Sequence, residues 1–166
     1  MDRLWAPWRM SYILETVKQE QPDGCVFCRM IEDLDDSKNL ILIRGKHSFV
    51  VMNLFPYNSG HLMVIPLRHT GDYGSLSADE HVEMGELIEV SRKALAECFT
   101  PHGYNIGMNI GRAAGAGILD HLHYHVVPRW NGDSNFMSAV GETKVLSESL
   151  PESYARLIKA IDRLQS

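Results

Sequence analysis

The stretch HLHYHVVPRW, residues 121–130, decides how this chain is read. Three of its eight histidines stand there on alternate positions. Successive side chains of a strand point to opposite faces, so a strand puts His121, His123 and His125 on one face and Leu122, Tyr124 and Val126 on the other. The apolar set suits packing against a helix and leaves three imidazoles over the opposite surface. Immediately upstream lies GRAAGAGILD (111–120), with Gly111, Gly115 and Gly117. A glycine-rich loop lets backbone N–H groups approach a phosphate closely. Imidazoles beside such a loop can act as nucleophile, proton donor and phosphate partner. Alternate histidines on a strand can also hold zinc, and spacing alone leaves both chemistries open.

The surrounding sequence predicts an α+β fold with a mainly antiparallel sheet. Short runs bounded by Gly, Pro, Asn or Asp read as strands at 40–43, 48–54, 61–67, 104–110 and 121–127. A long helix stands between the third and fourth. Ser77 and Glu80 have the spacing of a capping box at its start, apolar residues recur at helical period through Phe99, and Pro101 and Gly103 end it. A second helix is expected at 151–165, opened by Pro151. The polar segments 16–24 and 32–39 read as connections. The domain reading is an N-terminal arm (1–24), a main domain (25–137) and a C-terminal extension with a helix (138–166).

At 166 residues with 45% hydrophobic and 22% charged residues, the chain can bury a core without disulfides. A net charge of −5 disfavours a nucleic-acid coat and still allows a local phosphate site. No apolar run approaches the roughly 20 residues of a membrane helix, and the start MDRLWAPWRMSYILE lacks the uninterrupted apolar segment of a signal peptide. A cytoplasmic protein without nucleic-acid or membrane partners is expected. Its three cysteines, two spaced as Cys25-x-x-Cys28, then point to metal or redox work rather than structural bridging.

The triad with its trailing Val126-Val127 resembles the signature of the histidine triad (HIT) family, and NLFPYNSGHLMVIP (53–66) resembles the family's upstream Asn-x-x-Pro-x-x-x-Gly-His-x-x-Val-x-Pro segment. The resemblance runs from about Cys25 to Trp130. It implies a five-stranded antiparallel sheet with one long and one or two short helices, paired into a dimer with a continuous ten-stranded sheet. It also implies transfer or hydrolysis of nucleotides at the α-phosphate. His123 matches the nucleophile that forms a nucleotidyl-histidine, and His125 the contact to phosphate oxygens. Asn53 matches the ribose contact, His61 a histidine of the same nucleotide pocket, and Asn109 a phosphate-side position. Gly115 and Ala116 belong to the loop expected to line the phosphates. Some bacterial members hold a structural zinc; the matching ligands here are Cys25, Cys28, His69 and His121. Magnesium or manganese can accompany the substrate.

One departure bears on the reaction. Fragile-histidine-triad hydrolases carry Ala-Gly-Gln ahead of the triad, where this chain has Ala114-Gly115-Ala116. Without that glutamine, inorganic phosphate is the favoured acceptor, held by N–H groups of 111–117 and by Arg112 or Arg129. The segments 125–137 and 4–13 also resemble bacterial diadenosine tetraphosphate phosphorylases of the family. Alternatives are a dinucleoside polyphosphate or phosphoramidate hydrolase, a purine-nucleotide sensor or adaptor with a structural zinc, and a zinc protein whose triad is structural.

Overall fold

The computed structural model describes residues 24–133 and 148–165. The N-terminal arm, including Trp5 and Trp8, and the segment 134–147 lie outside the described residues. In chain order come α1 (Val26–Glu32), α2 (Asp36–Asn39), β1 (Ile41–Arg44), β2 (Ser48–Met52), β3 (Leu62–Pro66), α3 (Ala78–Phe99), β4 (Gly103–Met108), β5 (Tyr124–Arg129) and α4 (Leu150–Gln165). Short 3-10 turns stand at Tyr73–Ser75 and Arg112–Ala114. The strands form one sheet in the order β1-β2-β3-β5-β4, with every neighbouring pair antiparallel.

Both faces of the sheet carry apolar side chains. On one face Val50, Met52, Leu62, Val64, Leu122 and Val126 pack with Met84, Leu87, Ala94 and Leu95 of α3 and with Leu157, Ala160 and Ile161 of α4. The expectation that Leu122, Tyr124 and Val126 would back onto a helix therefore holds, and the C-terminal helix is part of the core. On the other face Ile41, Phe49, Val51, Met63 and Ile65 surround Phe27 of α1. β3 is buried along its whole length because both of its faces are covered.

The capping box is formed. Ser77 Oγ accepts from the Glu80 amide and Glu80 reaches back to the Ser77 amide. Glu80 also takes a two-pronged ion pair from Arg68, at 3.1 and 2.9 Å, which joins the helix start to the end of β3. That guanidinium, foremost, lowers the Glu80 carboxyl to about 2.

Two expectations need correction. The polar stretch 32–39 is not wholly a connection. Asp35 caps a four-residue helix by accepting from the Lys38 amide, and α1 precedes it. Among the described residues the helices are two long (Ala78–Phe99 and Leu150–Gln165) and two short (Val26–Glu32 and Asp36–Asn39), and the short ones are too brief to show periodicity in sequence. β5 also begins at Tyr124 rather than at residue 121. His121 and His123 precede the strand in a segment held by Leu122 N–H, which donates to Thr70 O at 2.8 Å.

Candidate active site and metal centre

The histidine face of the sheet is fixed by register. His125 pairs with Met63 on one side and Gly107 on the other, so its side chain shares the Met63 face, away from α3. Although only His125 lies within the strand, the alternation persists through His123 and His121, because all three rings turn toward Phe27 or one another. Phe27 meets His121 and His123 edge-on, at centroid distances of 5.4 and 5.2 Å. His123 and His125 lie 4.9 Å apart in a T-shaped arrangement. His123 and His125 keep 6% and 9% of their surface, whereas His121 and His61 keep none. The first pair opens to the surface and the second is sealed.

Backbone carbonyls assign the protons. A carbonyl oxygen only accepts, so His121 Nε2, 2.8 Å from Pro66 O, carries hydrogen. By the same argument His123 Nδ1, 3.0 Å from His121 O, carries hydrogen. Burial pushes both imidazoles below the usual histidine range, which keeps them neutral at pH 7. The lone pair of His123 is therefore on Nε2, and that of His121 is on Nδ1. A neutral, oriented imidazole with its lone pair on Nε2 is a nucleophile.

The lone pair of His121 addresses the cysteines. Its Nδ1 stands 3.3 Å from Cys25 Sγ and 3.7 Å from Cys28 Sγ, and His69 Nδ1 stands 3.3 Å from Cys28 Sγ. The ligand atoms of Cys25, Cys28, His69 and His121 all lie within 4.8 Å of one another. Tetrahedral zinc with ordinary Zn–S and Zn–N bonds places sulfur and nitrogen about 3.6 Å apart, close to these separations. The donated Nε2–H of His121 is the partner that a metal-bound imidazole ordinarily has. Burial and the adjacent Cys25 push the Cys28 thiol up. A cation reverses that cost, since a coordinated thiol is deprotonated. The four residues fit a metal. Arg44 steadies the helix that carries Cys28 by donating to Met30 O, Ile31 O and Asp33 O.

The loop between β2 and β3 closes the other side. Gly60 adopts φ +76°, and a Cβ there would stand 2.9 Å from Leu95 Cδ2, so only glycine brings His61 in at this angle. Asn53 N–H donates to His61 O at 2.9 Å, and the Asn53 side-chain oxygen accepts from Phe55 N–H at 2.9 Å. Tyr57 N–H donates to His61 Nδ1 at 3.0 Å, and His61 Nε2 lies 3.0 Å from His125 Nδ1. Asn109 follows the last residue of β4. Carrying the Met108–Tyr124 register one step sets it opposite His123.

Two expected phosphate contacts are otherwise engaged. The amides of Ala114, Gly115 and Ala116 donate within their own loop, to Gly111 O, Arg112 O and Gly111 O, at 3.2, 3.0 and 3.3 Å. Gly115, at φ 85°, makes that turn possible. Arg129 gives Nε and one terminal nitrogen to Asp133, at 2.6 and 2.8 Å, and its other terminal nitrogen to Asn105. This guanidinium holds the Asp133 carboxyl well below the usual carboxylate range. Arg112 remains exposed on its turn. Three participants escaped the sequence reading: Phe27, Tyr57 and the His121 carbonyl. Phe27 lies between the two cysteines and Tyr57 within the quoted upstream segment, so both were visible; a backbone carbonyl leaves no mark in sequence.

Comparison with known proteins agrees with this geometry. The HIT domain pattern matches residues 35–132, and the chain belongs to the HIT family. It is a nucleotide-processing enzyme of that family. A Mycobacterium tuberculosis protein named AP-4-A phosphorylase is 37% identical over 157 residues, which cover 92% of this chain and 80% of that one. An adenosine 5′-monophosphoramidase of Schizosaccharomyces pombe is 29% identical and covers 65% of this chain and 76% of its own. Among solved structures, a zinc-bound histidine triad family protein from Mycobacterium smegmatis superposes with a TM-score of 0.69 at 27% identity. That alignment covers 86% of this chain and 96% of that one. No helix among the described residues is long and apolar enough to cross a membrane.

Proposed function

We propose that this enzyme transfers a nucleotidyl group from the α-phosphate of a dinucleoside polyphosphate through a covalent bond to His123, with orthophosphate as the favoured acceptor. The observation that carries the reading is the orientation of His123. Its Nδ1–H is held by the His121 carbonyl, and its Nε2 lone pair is left as the reacting atom beside His125. In the first step His123 Nε2 bonds to the α-phosphorus as the P–O bond to the departing polyphosphate breaks. His125 gives that oxygen a proton. In the second step an orthophosphate oxygen gives its proton back to His125 and attacks the same phosphorus as the P–N bond to His123 breaks. Diadenosine tetraphosphate yields ATP first and ADP second. Splitting one displacement into two lowers each barrier, and the buried rings need little reorganisation.

Phosphate is favoured over water because Ala116 has no side-chain group to hold a water in line, and because a relative 37% identical is named a phosphorylase. Asn53 and Asn109 take the ribose and phosphate-side roles. Zinc in the Cys25, Cys28, His69 and His121 set would clamp α1 to the triad segment as a structural ion. Magnesium or manganese would neutralise the polyphosphate. The unit is assigned to residues 25–137 with the C-terminal helix as its support, and its β4 edge to a homodimer. A second reading, phosphoramidate hydrolysis, rests on the resemblance to the monophosphoramidase.

The test is the product pair from diadenosine tetraphosphate at millimolar phosphate. ADP plus ATP is the expected result. AMP plus ATP, insensitive to phosphate, would make the enzyme a hydrolase.

A further inference from the structure

We infer that Asp133 is a positioning residue for nucleotide binding, whose carboxylate, backed by Arg129, clamps Asn58 and so fixes the loop 53–61 that carries Asn53. The inference rests on the reading above, in which Asn53 meets the ribose. Asn58 lies in that loop, and both hydrogens of its side-chain amide are spent on other parts of the fold. One donates to Pro128 O of β5 at 3.1 Å and the other to Asp133 Oδ2 at 2.8 Å. Both partners only accept, so the orientation of the amide is set. The backbone carbonyl of Asn58 accepts the His61 N–H at 3.1 Å, which carries the constraint to the end of the loop. His61 O in turn accepts the Asn53 N–H at 2.9 Å, which closes the loop onto its own start. Between these ties Leu54, Phe55 and Tyr57 are exposed. Apolar burial thus holds this stretch only in part, and a polar anchor counts for more here than in the core.

The anchor is itself firmly held. Four N–H groups converge on the Asp133 carboxylate: Arg129 Nε at 2.6 Å, one Arg129 terminal nitrogen at 2.8 Å, the Asn58 amide, and the Trp130 backbone at 3.2 Å. An ionised carboxylate offers about four acceptor sites, which these donors match. The turn 130–133 aims the group back at the loop. Asp133 N–H donates to Trp130 O at 3.1 Å, and Gly132 takes φ +80° to make the reversal. Trp130 Nε1 donates to Phe99 O at 3.3 Å and the Asn131 N–H to His102 Nδ1 at 2.9 Å, so the turn is tied to the end of α3 and the start of β4. Arg129 reaches Asn105 of β4 with its remaining terminal nitrogen. The loop is therefore fixed against two strands and a helix end. A guanidinium spent in this way is withdrawn from orthophosphate, so the pair acts on the nucleotide side of the reaction.

Two single variants and their combination test the claim. Asp133→Ala removes the anchor, and Asn58→Ser removes the tie while keeping the Arg129–Asp133 pair. Each should weaken the binding of adenosine monophosphate, measured by calorimetry, about 10-fold, the size of one lost hydrogen bond to a charged group. In turnover of diadenosine tetraphosphate its KM should rise by a similar factor, with kcat within about 3-fold of wild type and the KM for orthophosphate unchanged. Because Asn58 acts through Asp133, the double variant should be no more than about 2-fold worse than Asp133→Ala alone. Additive losses, a rise confined to the orthophosphate KM, or nucleotide affinity within about 2-fold of wild type in both single variants would overturn the role. Amide hydrogen exchange gives an answer that needs no substrate. The amides of Phe55, Tyr57 and His61 all donate within the loop. They should exchange about 10-fold faster in Asn58→Ser, while those of β3 keep their rates. Unchanged exchange at all three would refute the clamp. That readout decides it even where the wild type binds no adenosine monophosphate, a failure that would count against the proposed reaction alone.

Discussion

Phe27 shows how one apolar side chain serves two chemistries. It is 2% exposed, fills the cluster beneath the sheet and meets two triad rings edge-on. Removing a buried phenyl ring typically costs about 3–5 kcal/mol. Phe27→Ala is therefore expected to lower stability by that order in urea denaturation and to slow turnover as well, because His121 and His123 lose a wall. A stability loss below about 1 kcal/mol would show that the ring is not part of the core. Arg68 and Glu80 give a pH-dependent test. Glu80 has its carboxyl lowered, so its pairing contributes stability at neutral pH that is lost as pH falls from the ordinary carboxylate range through about 2. Arg68→Ala should be less stable than wild type at pH 7, and the gap should close near pH 2. A constant gap across that range, measured by urea denaturation, would show that the pair contributes by packing alone.

At the scale of elements, legibility followed length. The helix at Ala78–Phe99 was plain, because Ser77 and Glu80 mark its start and its apolar period runs for several turns. α1 and α2 were not, because seven and four residues show no period and their stability comes from Phe27 and from the Asp35 cap. The strand start also moved, from 121 to 124, since an extended segment bound to Thr70 O has the sequence of a strand without its ladder. The four metal-ligand types were readable from resemblance, and their convergence came only with the fold, which brings Cys25 to within 3.3 Å of a residue 96 positions away. α1 and the triad segment are joined at that point. Purified protein is expected to hold about one zinc per chain. Cys25→Ser should lose the metal and lower Tm, whereas His123→Ala should keep it. Elemental analysis that finds no zinc in protein prepared without chelators would reject the assignment.

For the whole molecule, the two sheet edges are unlike. At β1 the Ile41 carbonyl accepts from the Tyr154 hydroxyl of α4 at 3.0 Å, so this edge is partly covered. At β4, residues 105–107 are exposed and Ile106 keeps 45% of its surface. Among the described residues nothing pairs with this edge, and an edge strand with an exposed isoleucine is a site for strand pairing, which is why the proposed homodimer is assigned there. Light scattering should give twice the 18.8 kDa chain mass, and Ile106→Glu, which would bring a carboxylate from each chain to the paired edge, should give the single-chain mass. A wild type at the single-chain mass would reject the dimer.

The proposed reaction turns on a covalent bond between His123 and the nucleotide. Its most direct measurement is rapid quench of the enzyme with diadenosine tetraphosphate in the absence of phosphate, followed by peptide mass spectrometry. Adenosine monophosphate is expected on His123, formed together with ATP, discharged as ADP when phosphate is added, and missing in His123→Ala. ATP release with no adduct on His123, or undiminished turnover by His123→Ala, would contradict it.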